Sequence, residues 1–203
     1  MGLFSRSPKT KDEGEQNFTQ GYLTGQILVS TPFMLDARFY QSVIYVCGHD
    51  ENGAMGFIIN KPLPSLMFTD LLDQLGIEHP EREYVVPVYY GGPVEVGRGF
   101  VLHSTDYQHD ATVSINNDFA ITATLEILRE VAYNRGPRQL ALMLGYTGWE
   151  KGQLEGELQE NKWIILRGQP QFVFEHPKDL MWTAAYEKLH IDPAHMSLDS
   201  GHA

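Results

Sequence analysis

At 203 residues, with 42% apolar and 11% aromatic content, the chain is long enough to bury one large core and lies well outside the disordered regime. Fifteen Lys and Arg against 26 Asp and Glu give a net charge of −11. That balance repels phosphate backbones, and with no compensating Lys/Arg stripe it disfavours direct nucleic-acid binding. One cysteine, Cys47, excludes an intrachain disulfide, and no window approaches the ~18 consecutive apolar residues of a membrane span.

Residues 1–17 read as a flexible polar tail, with 18–203 forming a single domain. In the tail Arg6, Lys9 and Lys11 cancel Asp12, Glu13 and Glu15, so the excess acidity belongs to the domain. No apolar stretch in the tail resembles a signal peptide, and Arg6 stands where a myristoylation signal needs Ser or Thr. With the lone cysteine, these features predict a cytoplasmic protein with no membrane partner.

Order is expected from Phe18, with a first strand over Gln26 to Thr31 ended by Pro32. Ser42 to Cys47 and Ala54 to Asn60 are β-rich runs, and Asn52-Gly53 between them supplies the positive φ values of a tight hairpin. Both runs are apolar on both faces, which places the hairpin mid-sheet. A helix is expected from Ser65 to Leu75, stopped by Gly76. Strands are expected over Tyr84 to Tyr90 and Gly99 to His103, and Ala111 to Ile115 pairs with Phe119 to Thr122 across Asn116-Asn117. Leu125, Leu128 and Val131 at helical spacing predict a helix from Thr124 to Tyr133. Gln139 to Gly145 reads as a strand, and Gly145 to Trp149 as the link to a helix over Gly152 to Glu160. Trp163 to Leu166 and Phe172 to Phe174 read as the last strands, and Asp179 to Leu189 as the last helix. This irregular order of strands and helices indicates an α+β fold rather than a doubly wound sheet.

The standard patterns of catalysis and cofactor binding are absent. Gly91-Gly92-Pro93 and Gly97-Arg98-Gly99 lack the spacing and following helix of a dinucleotide loop, so these glycines serve turns or close backbone approach. His190 and His195 are separated by Pro193, and no metal-ligand spacing occurs, so neither a metal nor a cofactor is expected. No nucleophile elbow surrounds any serine. Glu155 and Glu157, two apart on a helix, face different ways. Trp149 and Trp163 read as aromatics anchoring that helix. In the one provocative segment, Cys47-Gly48-His49, period-2 alternation could put thiol and imidazole on one face, and a charged imidazole would then make a reactive thiolate. The reading placed ahead of it is a small buried core residue for Cys47 and a solvated turn residue for His49, since no partner to orient the imidazole is visible.

Several segments together carry a resemblance. Gln26-Ile-Leu-Val-Ser-Thr-Pro-Phe-Met34, Phe39-Tyr-Gln-Ser-Val-Ile-Tyr-Val-Cys47, Gly53-Ala-Met-Gly-Phe-Ile-Ile-Asn-Lys-Pro62, Val88-Tyr-Tyr-Gly-Gly-Pro93, Arg98-Gly-Phe-Val-Leu-His103, Gly145-Tyr-Thr-Gly-Trp149, Gly152-Gln-Leu-Glu155 and Gly201-His-Ala203 closely resemble the bacterial YqgE/AlgH family, in order along the chain. The resemblance implies a bent or bifurcated, largely antiparallel β-sheet forming a pseudo-barrel with flanking helices. The family includes a protein named as a regulator of alginate genes, and it has no established catalytic residues or cofactor as a class.

The resulting expectation is a non-enzymatic regulatory or protein-interaction module, linked to transcription only through an unidentified protein partner. Its candidate binding surface comprises Cys47, His49, Asn60, Lys61, Pro62, Gly91, Gly92, Pro93, Arg98 and His103, mostly at strand ends and loops. The alternative is a thiol-dependent enzyme or redox sensor using Cys47 with His49 or His103.

Overall fold

Hydrophobic patterning becomes one curled sheet in the computed structural model, which describes residues 22–81 and 86–196. The expected tail over 1–17, the start of order at Phe18, residues Tyr84 and Val85 of an expected strand, and the Gly201-His-Ala203 terminus lie outside those residues. The strands are β1 (Gln26–Ser30), β2 (Val43–Asp50), β3 (Gly53–Ile58), β4 (Val88–Tyr90), β5 (Val94–Ser104), β6 (Val113–Ser114), β7 (Phe119–Thr122), β8 (Leu140–Glu150) and β9 (Trp163–Arg167). They run in the order β6-β7-β5-β8-β3-β2-β1-β9, with β4 branching off β8. All pairings are antiparallel except β4 with β8. The curled sheet forms a half-barrel flanked by helices, as an α+β fold requires.

The β2–β3 hairpin sits mid-order, and all six residues of β3 are buried. Its turn differs in detail from the expected Asn-Gly type. Asp50 pairs with Gly53, so Glu51 and Asn52 form the turn, closed by the Asn52 N–H donating to Asp50 Oδ1 at 2.7 Å. Gly53 belongs instead to the β3–β8 ladder, where a Cβ would lie 2.2 Å from the Trp149 carbonyl oxygen.

The sheet splits along β8. Leu142–Leu144 pair with β4, whereas Thr147–Glu150, further along the same strand, pair with β3. The hinge is glycine: Gly145 has φ +72, and a Cβ on it would lie 2.5 Å from the Gly92 carbonyl oxygen. A Cβ on Gly91 would in turn lie 2.3 Å from the Gly145 carbonyl oxygen. These glycines allow two backbones to touch, as their lack of a phosphate-loop pattern suggested. Gly145 therefore bends β8 without ending it, and the expected link over Gly145 to Trp149 is strand.

The helices are α1 (Phe68–Gln74), α2 (Leu125–Ala132), α3 (Gln153–Gln159) and α4 (Met181–Lys188). Helix α1 starts later than expected because the Met67 N–H donates to Asp70 Oδ2, fixing the first turn there. Phe68 and Leu72 of α1 and Ile127, Leu128 and Val131 of α2 cover Val88, Val101 and Leu142. Leu154 of α3 packs with Trp149 and Trp163 over Leu28, Ile44 and Ala54. The expected strand over Phe172 to Phe174 is instead a π-helical turn, Gln171–Glu175. Pro170, with φ −52 and ψ −45, sets a helical start, and the Val173 N–H donates to the Gln169 carbonyl. That turn brings Phe172 and Val173 into the largest apolar cluster, with Tyr45, Phe57, Phe119 and Tyr186. No helix among the described residues is long and apolar enough to cross a membrane.

Candidate functional site

Cys47 and His49 do not share a face. Val46 pairs with Gly56 and Gly48 with Met55, so a β-bulge at Cys47 shifts the alternation by one residue. Cys47 packs with Tyr45 and Met55 in the largest cluster, whereas His49 lies opposite Ala54, which belongs to the Trp149 cluster. Burial pushes the Cys47 thiol well above its usual range, and its Sγ donates only to the Tyr45 carbonyl, at 3.7 Å. Cys47 is thus the buried core residue of the favoured reading, whereas His49, expected to be solvated, is buried too, and it is not placed to serve the thiol as a general base.

His49 has an assigned structural task. Its Nδ1 accepts the Leu23 N–H at 3.1 Å, so the proton sits on Nε2, which donates to Glu155 Oε1 at 2.8 Å. His49 thus ties the segment entering β1 to α3, with the Tyr22 ring edge-on at 5.1 Å. His103 is fully buried and on the face of β5 away from Cys47, edge-on to Tyr107. Its Nδ1 donates to the Ser104 carbonyl at 2.8 Å, leaving Nε2 to accept the Thr122 hydroxyl at 2.9 Å. Thr112 Oγ1, 2.8 Å from Thr122 Oγ1, completes the chain as donor. Burial holds the His103 pKa below its ordinary value, against the opposing pull of the Ser104 carbonyl and Asp106. Both histidines are satisfied structural groups rather than exposed ligands.

Asn60 is a clamp: its Oδ1 accepts the Val43 N–H at 2.8 Å, and its Nδ2 donates to the Gln41 carbonyl at 2.9 Å, fixing Gln41 at φ +48. Lys61 Nζ donates to the Arg38 carbonyl at 2.7 Å, and burial lowers its pKa. Pro62 bridges to Tyr89. Gly91 and Gly92 are buried at the split in the sheet. Pro93 and Arg98 remain open to clefts, and Arg98 pairs with Glu95 at 3.0 Å and lies over the Phe100 ring at 4.9 Å. The ten candidates therefore divide into a buried framework of Cys47, His49, Gly91, Gly92 and His103, the half-buried Asn60, Lys61 and Pro93, and the exposed Pro62 and Arg98.

Two clefts flank the segment joining β4 to the paired part of β5. The first, of about 360 Å³, lies between α1 and α2, with Val101, Leu142 and Leu144 lining it with Leu71, Leu75, Leu125 and Leu128, and Arg98 among its lining residues. The second, of about 410 Å³, is lined by Met34, Asp36, Arg38, Phe39, Pro93, Val94, Gln153, Glu157 and Lys162, among others. Glu157 is one of four charged residues lining it. Its Oε2 accepts the indole N–H of Trp149 at 2.8 Å and of Trp163 at 2.7 Å, and its Oε1 accepts Gln153 Nε2 at 3.0 Å. The sequence showed that Glu155 and Glu157 diverge, and they do, one to His49 and one to the tryptophans. It did not show that two indoles converge on one carboxylate, because that needs β8, α3 and β9 placed together. No group of three or more His, Cys, Asp or Glu side chains among the described residues is arranged to hold a metal.

Comparison with known proteins agrees with this architecture. The family pattern DUF179, described as AlgH-like, matches residues 27–194. A UPF0301 protein of Rhodospirillum rubrum is 47% identical over 184 residues, covering 91% of this chain and 96% of its own. One from Methylocella silvestris is 44% identical over 207 residues, covering 98% and 99%. The solution structure of AlgH from Pseudomonas aeruginosa superposes with a TM-score of 0.76 at 33% identity, covering 95% of this chain and 100% of that one. The crystal structure of DIP2367 from Corynebacterium diphtheriae, at 19% identity and a TM-score of 0.66 over 82% of this chain and 86% of its own, shares the fold. With a family match across most of its length, near-complete coverage by relatives and the same half-barrel, the chain belongs to the AlgH-like family.

Proposed function

We propose that this chain is a cytoplasmic, non-enzymatic protein-interaction module that receives an apolar segment of a partner in the leucine-lined groove between α1 and α2. The observation that carries this reading is the groove itself: Leu75 and Leu125 on its rim are 41% and 43% exposed, above a floor of Val101, Leu142 and Leu144. Exposed leucines around a concavity favour helix-in-groove recognition, where side chains at helical spacing fill adjacent pockets. The burial of Cys47 and the satisfied bonding of His49 and His103 weigh on the same side, since each is withdrawn from the chemistry its residue type suggests. Any regulatory action, transcription included, would pass through that partner, because a net charge of −11 opposes direct contact with DNA.

Affinity capture from native lysate tests the reading when run in parallel with Leu75→Glu and Leu125→Glu. Both positions are exposed, so the variants should fold. A partner that recurs with the unmodified chain and is lost with both variants supports the groove. Capture indifferent to both charges, or a covalent small-molecule adduct lost in Cys47→Ser, overturns it.

A further inference from the structure

Glu157 is a carboxylate without a cation. Three neutral donors hold it: the indoles of Trp149 and Trp163 and the amide of Gln153. A carboxylate has roughly four acceptor sites, so one remains. The other charges lining its cleft are already matched. Arg38 grips Asp36 with Nη2 at 2.6 Å from Oδ2 and Nε at 3.0 Å from Oδ1. Lys162 Nζ is 2.6 Å from Glu160, with Glu157 only a weaker source of attraction. Among the described residues, no cationic side chain lies within ion-pair distance of Glu157.

Satisfying two buried indole N–H groups would by itself need only an acceptor, and a neutral amide oxygen could do that. A full negative charge goes beyond that need. It stands fixed in place at the side of a cleft of about 410 Å³ whose apolar surfaces, Met34, Phe39, Pro93 and Val94, suit a methylene stem. A fixed charge of this kind needs no reordering when a counter-charge arrives.

We propose that the Glu157 cleft is a binding site for a guanidinium group carried on an apolar stem, the arginine side chain of a partner polypeptide. Guanidinium sheds water at lower cost than ammonium and forms directional charge-assisted bonds to carboxylate, which suits a half-buried cleft with apolar walls. The assignment deepens the reading of the chain as an interaction module. It uses a cleft separate from the leucine groove, so the two stand or fall on different variants.

Its test is a titration with N-acetyl-arginine amide, followed through the indole N–H resonances of the protein's three tryptophans. The indoles of Trp149 and Trp163 report on Glu157, while that of Trp182, bonded to the Ser30 carbonyl, is an internal control. Saturable shifts are expected for the first two and not the third. N-acetyl-citrulline amide, equal in shape and uncharged, should produce none. Glu157→Gln keeps an oxygen for both indoles and should bind at least tenfold more weakly. No saturable shift, equal shifts with the citrulline compound, or undiminished binding by Glu157→Gln would overturn the assignment. The comparison of the two compounds on the unmodified protein decides the matter even where the variant folds poorly. Loss of partner capture by Leu75→Glu leaves this result untouched.

Discussion

Thiol reactivity separates the two functional readings most sharply, and its size follows from the position of Cys47. The residue is 7% exposed, in a strand bonded on both sides, with the Gly25 N–H donating to the Val46 carbonyl and β3 paired along the other edge. A disulfide reagent can reach Sγ only if the centre of the sheet opens. Opening a core strand costs close to the global stability, about 5–15 kcal/mol, and every ~1.4 kcal/mol is tenfold in population. Labelling of the native protein by an aromatic disulfide at pH 8 should therefore run at least ~10³-fold slower than labelling in denaturant. The raised thiol pKa acts in the same direction. The assay is the absorbance of the released thiolate, native against unfolded, with free cysteine as a reference. Native labelling within tenfold of the unfolded rate would refute the reasoning and restore Cys47 as a reactive group.

Gly145→Ala should destabilise by about 2–4 kcal/mol, combining a left-handed φ of +72 with a Cβ 2.5 Å from the Gly92 carbonyl oxygen. Gly148→Ala, whose Cβ would meet only Tyr146 at 3.5 Å, should change little, and urea midpoints of the two variants check the contrast. The pKa of His103 is depressed in the fold, so its contribution to stability is present above the unfolded value near 6.5 and is lost as pH falls through the folded one. Stability profiles between pH 7 and pH 4 should thus fall less steeply in His103→Gln than in the unmodified protein; parallel profiles would sink that account. Lys178, lowered to about 8 by burial, follows the same sign in a higher pH window. Its penalty exists below pH 8 and is relieved as pH rises towards 10.5, so Lys178→Met should gain stability at pH 7 relative to pH 10, as denaturant midpoints at both values would show.

Much of this fold could be read from the chain because local pattern and tertiary placement agree. The runs forming β2 and β3 are apolar on both faces and joined by a turn, which is what a mid-sheet hairpin requires. Helix α2 announces itself through Leu125, Leu128 and Val131, two of which reach the core. The failures occur where a partner strand decides the outcome. The bulge at Cys47 exists only against Gly56 and Met55 of β3, so alternation counted along one strand left open a shared face for Cys47 and His49 that the register shift removes. Gly145 looks like a strand end from within, yet β3 continues to pair beyond it. The helix shows that Glu157 faces away from Glu155, but not that Trp149 and Trp163 reach it from two strands.

The split along β8 links these local surprises to the surface on which function depends. Where β5 pairs with β8, its register jumps between Val94 and Gly99, leaving residues 95–98 out of the ladder, with Glu95 at φ +47. That unpaired stretch separates the two clefts. Pro93 and Val94 help to line the Glu157 cleft, and Gly97, Arg98 and Gly99 help to line the leucine groove. A continuous β5–β8 ladder would draw these residues flat against the sheet and take a wall from each. The glycines at 91, 92 and 145, which lack the pattern of a phosphate loop, thus allow the sheet to diverge beside this stretch. The binding capacity proposed for this protein rests on backbone geometry first and on Arg98, Glu157 and the rim leucines second.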